Sequence, residues 1–105
     1  MTTRVIAGTV NKDGTIRDGK EFSVVRTEKG RYAISFRPAF ASILGAAATQ
    51  VFDGNTRDNV VFPHVGSSEL LVKTGDSGGD RSDRPFTFVA VGIGEVAAAE
   101  EQEAK

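Results

Sequence analysis

The sequence predicts an all-β domain, an antiparallel β-sandwich of about six or seven short strands, followed by a disordered acidic tail. Three observations carry this. Apolar residues alternate with polar ones over most of the chain, which gives a strand one core face and one wet face. Glycine is abundant, at 12 residues, and often stands beside Asp, Lys or Ser between the alternating runs, where turns need it. Phenylalanine supplies seven of the aromatic residues and tyrosine one, and both favour strands.

The elements follow in order. Residues 4–10 read as a first strand. Asp13-Gly14 marks a hairpin, because both central positions of that turn tolerate positive φ. Ile16 starts a short return, and Asp18-Gly19 turns again. Residues 22–28 alternate, with Phe22, Val24 and Arg26 on one face. Lys29-Gly30 is a tight turn. Over residues 31–37, Tyr32, Ile34 and Phe36 point one way, and Arg31, Ala33, Ser35 and Arg37 the other.

Pro38 breaks this ladder, and residues 40–45 read as a crossover or edge segment. Residues 46–52 are read as a strand. The alanines there favour helix, but Thr49, Val51 and Phe52 favour strand, and the segment is short for a helix. Small side chains at Ala46 to Ala48 would let another sheet or subunit approach closely. Residues 53–59 form a polar loop. Residues 60–65 are a strand that Pro63 confines to an edge or a bulge. Residues 70–74 are a strand, and residues 75–85 a long polar loop. Residues 86–93 are apolar on both faces, which predicts a central strand covered on both sides.

At 105 residues the chain is expected to hold one domain, residues 1–94. Residues 95–105 are mostly alanine and glutamate and are read as the disordered tail. Cysteine is absent, so no disulfide, thiolate metal site or cysteine nucleophile can form. The net charge of -1 supplies no field for nucleic acid or anionic lipid. No run approaches the roughly 20 apolar residues that span a bilayer, and no export signal is recognisable. The expectation is a soluble, cytoplasmic protein that binds no nucleic acid and does not insert into a membrane.

Gly75-Asp76-Ser77-Gly78-Gly79 matches the segment around the nucleophile of chymotrypsin-like proteases. That chemistry needs a histidine base and an orienting acid in separate places. The single histidine, His64, lies a short way upstream within a strand, and Asp76 is the acid next to Ser77 itself. The segment is read as a glycine-rich turn and no catalysis is expected. His64 alone is read as a surface or half-buried structural residue. Carboxylates gather in two loops, with Asp53, Asn55 and Asp58 in one and Asp76, Asp80 and Asp83 in the other. Such loops can bind calcium. The first lacks a closing glutamate, and the second interleaves Arg81 and Arg84, which can neutralise the acids. No cofactor or metal is assigned. These eight loop residues are the candidate ligand-binding set.

Four stretches carry a resemblance: Ala7-Gly8-Thr9-Val10 with Asp13-Gly14; Gly30-Arg31-Tyr32-Ala33-Ile34-Ser35-Phe36; Asp58-Asn59-Val60-Val61; and Arg84-Pro85-Phe86-Thr87-Phe88-Val89-Ala90-Val91-Gly92. Together they resemble small β domains of bacterial proteins of unknown function and phage tail-fibre-like domains. More distantly, residues 34–40 and Val89-Ala90-Val91-Gly92 are similar to H-type lectins, sandwiches that trimerise and bind N-acetylgalactosamine. Those lectins commonly carry a tryptophan in the last strand, and this chain has none. The resemblance implies carbohydrate or cell-surface recognition. The expected function is a non-enzymatic binding module for carbohydrate or protein, acting through loops 53–59 and 75–84. The alternative is a structural protein that assembles with its own copies as a homo-oligomer.

Overall fold

The computed structural model describes residues 2–94, so the tail expected over residues 95–105 lies outside the described residues. Eight strands form: β1 (Thr2–Val10), β2 (Ile16–Gly19), β3 (Phe22–Glu28), β4 (Arg31–Phe36), β5 (Ser42–Gln50), β6 (Asn59–Val65), β7 (Glu69–Gly75) and β8 (Phe86–Gly94). No helix is present among the described residues, and none is long and apolar enough to cross a membrane. The strands make two four-stranded antiparallel sheets, ordered β2-β1-β8-β5 and β3-β4-β7-β6. The expected sandwich is therefore present, with slightly more strands than expected.

Local chemistry fixes most of these elements. In the β1–β2 hairpin the Asn11 amide donates to the Thr15 carbonyl at 2.8 Å, and Asp13 Oδ1 accepts from the Thr15 amide at 2.9 Å. Gly14 takes φ 95° there, a conformation that side chains resist. β6 is an edge strand with a register shift between Val61 and His64, so Pro63 takes both of the roles open to it. The ambiguous stretch is a strand, but it begins earlier, at Ser42, and releases Val51 and Phe52 into the next loop.

The core lies between the sheets. Inward residues include Ile6 and Val10 of β1, Tyr32, Ile34 and Phe36 of β4, Leu70 and Val72 of β7, and Phe86, Phe88 and Ala90 of β8. Burying each large apolar side chain contributes about 1.5–3 kcal/mol. Phe22 meets Phe88 and Phe36 meets Phe40 edge to face, each pair with ring centres 5.0 Å apart. Arg4 shares the inward face of β1, where its side chain bonds the Pro38 carbonyl at 2.8 Å and Glu21 at 3.2 Å.

One expectation needs correction. β8 is central, between β1 and β5, but it is covered on one face only. Phe86, Phe88 and Ala90 are buried, whereas Val89 on the opposite face is 38% exposed. Period-two alternation places Val89, Val91 and Ile93 on the outside of the sandwich, where the described residues provide no second layer.

Candidate functional site

Loops 53–59 and 75–84 leave the sandwich at the same end. Asn59 pairs with Gly75 and Gln50 pairs with Phe86, so the ends of β5, β6, β7 and β8 that carry these loops lie together. Gln50 ties the two sheets: its Nε2 donates to the Asn59 and Gly75 carbonyls, each at 2.7 Å.

Several of the candidate residues bind one another. Arg84 Nη1 donates to Asp58 Oδ1 at 3.1 Å and to Gln50 Oε1 at 3.2 Å, and its guanidinium lies 3.8 Å from the centre of the Phe52 ring. Asp58 Oδ2 also accepts the Asn55 amide at 2.7 Å. That amide bond and then Arg84 lower the Asp58 pKa. Asp83 accepts from Arg26 Nε at 3.0 Å and from the Gly30 amide at 2.7 Å, and both, Arg26 foremost, lower its pKa. Gly30 must be glycine to make this contact. Its φ is 70°, and a Cβ there would stand 2.8 Å from the Thr74 carbonyl oxygen. Asp58, Asp83 and Arg84 therefore fasten loops to the scaffold.

The Gly75 to Gly79 segment is a turn closed on itself. Asp76 Oδ1 accepts the Gly78 and Asp80 amides at 2.9 and 3.0 Å, and the Asp76 amide donates to the Asp80 carbonyl at 2.8 Å. Ser77 lies beyond the end of β7, whereas exposed His64 sits across from Leu71, back along that strand. The strand geometry does not bring His64 to Ser77. Neither the amide nor the hydroxyl of Ser77 makes a hydrogen bond among the described residues.

Asp53 and Asp80 are exposed and their carboxylates have no partner among the described residues, while Asn55 Oδ1 accepts the Arg57 amide at 2.9 Å. The two acidic loops do not close into a cation cage. Among the described residues no three histidine or acidic side chains gather as metal ligands would.

The arrangement leaves one open cleft of about 400 Å³ beside the turn, lined by Arg57, Lys73 and Arg81 together with Asp76, Ser77 and the Gly78-Gly79 backbone. Arg81 also reaches Glu28 at 2.7 Å and lowers the pKa of that carboxyl. The Lys73 ammonium has no ion-pair or hydrogen-bond partner among the described residues. Sequence reasoning named Arg81, Asp76 and the turn but missed Arg57 and Lys73. Lys73 reads along β7 as one more outward polar residue, and Arg57 as one more loop charge. Only the Asn59–Gly75 and Val61–Lys73 pairings put them beside the turn.

Comparison with protein-family models, with curated proteins and with solved structures finds no significant match to this chain.

Proposed function

We propose that this chain is a non-enzymatic interaction module that assembles with other copies of itself through the outer face of the β2-β1-β8-β5 sheet. One observation carries the reading: the outward residues of the three strands β1, β8 and β5 include no charge. Across the sheet they run in rows. Val5, Val91 and Gly45 are paired, then Ala7, Val89 and Ala47, then Thr9, Thr87 and Thr49. Leu44 is the extra residue at the β5 register shift and is 66% exposed; Val5 is 57% exposed. The other sheet follows the ordinary pattern, with Arg31, Glu69 and Lys73 on its outside.

A contiguous apolar face on a small domain marks an interaction surface. Two copies meeting there would bury no unpaired charge, which is the costly error at an interface. Of the three alanines Ala46 to Ala48, Ala46 and Ala48 pack toward the core and Ala47 faces out. The small Ala7–Val89–Ala47 row lets a second sheet come close. Arg17 and Asp18 stand off on the edge strand β2.

Sedimentation velocity over a range of concentrations tests this. The wild type sediments as an oligomer, and Val89→Glu sediments as a monomer with an unchanged far-ultraviolet spectrum. A wild type that remains monomeric at the highest soluble concentration overturns the proposal.

A further inference from the structure

We propose that the cleft beside the Gly75–Gly79 turn binds a tetrahedral oxyanion, the sulfate or phosphate ester group of a sugar-sized ligand. This goes beyond the self-assembly reading and uses the other side of the molecule. Lys73 and Val61 are on the outside of the β3-β4-β7-β6 sheet, so the cleft stays open when the opposite sheet is covered.

Arg57, Lys73 and Arg81 line the cleft against the single carboxylate of Asp76, in a chain whose net charge is -1. Glu28 offsets Arg81, but among the described residues the Lys73 ammonium has no partner, and no hydrogen bond holds the Arg57 guanidinium, whose charge acts only on neighbouring Asp58. Asp76 is already engaged, because one of its carboxylate oxygens accepts two amides of its own turn. Lys73 on β7 and Arg57 on the adjoining loop face the same cleft, and an anion there relieves the repulsion between them. A neighbouring cleft lined by Lys12, Lys29, Arg26 and Asp83 differs here, since Arg26 is 2.9 Å from Asp83 and its charge is met.

Ser77 brings an uncommitted hydroxyl and amide to the same wall, and Gly78 and Gly79 keep that wall low enough for a ligand to approach the backbone. A Cβ at Gly79 would meet nothing within 4 Å, so space remains above the turn. Arginine forks and a lysine point charge around the uncommitted Ser77 amide match a tetrahedral oxyanion. The cleft volume of about 400 Å³ leaves room for the body of the ligand.

The test is a titration of the amide nuclear magnetic resonance spectrum of the full chain with inorganic sulfate and with inorganic phosphate. Ionic strength is held constant with sodium chloride. Both dianions shift the Ser77, Gly78 and Gly79 amides saturably and chloride does not. Lys73→Ala weakens each dianion roughly tenfold, Arg57→Ala does the same, and Lys12→Ala, outside the cleft, leaves binding unchanged. Absence of a saturable shift overturns the proposal, and so does a shift that Lys73→Ala and Arg57→Ala leave intact. A sulfated disaccharide and a sugar 6-phosphate then separate the sources. Tighter binding of either than of the bare dianion assigns that ester, and no gain from either overturns the sugar-sized ligand. Val89→Glu, the variant that dissociates the assembly, retains the titration.

Discussion

The Arg84 guanidinium stands 3.1 Å from the Asp58 carboxylate, joining the loop after β7 to the loop after β5. The two side chains are 13% and 8% exposed, so water does little to weaken the attraction. Phe52 covers the guanidinium from one face. Removing either charge leaves the other half-buried and unmatched. Asp58→Ala and Arg84→Ala are each expected to lower the melting temperature by several degrees. The double variant loses less than the sum of the two, as a thermal double-mutant cycle would read. Additive losses would show that the pair is not coupled.

At the other end of the sandwich, Arg4 is 1% exposed and is held by Glu21 at 3.2 Å and by two carbonyls, while its Nε has no partner among the described residues. Arg4→Ala strands Glu21 and opens a cavity, and is expected to cost about 3–5 kcal/mol. Arg4→Met fills the volume against Phe40 and costs less. Urea unfolding of the two variants checks the order, and equal losses would show that packing volume plays no part.

Acid should weaken the fold through its fastened carboxylates. Arg26 and the Gly30 amide hold Asp83 below its ordinary pKa, and the Asn55 amide and Arg84 do the same for Asp58. In the unfolded chain these groups titrate near pH 4, so around that pH the unfolded state binds more protons. Their contribution is fully present above the unfolded pKa and is lost as pH falls through the lower folded values. The melting temperature is expected to be level from about pH 7 to about pH 5 and to fall below about pH 4. Asp83→Asn should lower the neutral-pH value and make the acid fall shallower. A melting temperature that rises on acidification would contradict this assignment.

Much of the fold was legible in the chain because its signals are local. Asp13-Gly14 and Lys29-Gly30 each specify a turn through backbone conformation, and Tyr32-Ala33-Ile34-Ser35-Phe36 specifies which face is core through side-chain period. Pro63 marks an edge because it cannot donate to a ladder. The start of β5 at Ser42 was not legible. Gly45 and the alanines have weak strand preference, and their pairing with β8 overrides it.

The candidate site was legible only as a neighbourhood. Charged residues in loops announce themselves, but whether each is spent or free depends on what the fold sets opposite it. Arg84 and Asp58 are 26 residues apart and neutralise each other. Arg26 and Asp83 are 57 apart and do the same. Arg57 and Lys73 gained importance for the opposite reason, since the β6–β7 register brought them to one cleft with no acid among the described residues to meet the Lys73 ammonium.

The sequence by itself determined the all-β class, the turns, the inward residues and the two loops in which charges collect. These depend on backbone preference and period-two alternation, which act between neighbours. Tertiary structure alone decided that β8 is covered on one side, that Asp58, Asp83 and Arg84 are fasteners, and that the Gly75–Gly79 turn forms the wall of a basic cleft. Such outcomes depend on contacts between residues distant in the chain, and alternation tells which face a residue takes but not what lies across from it.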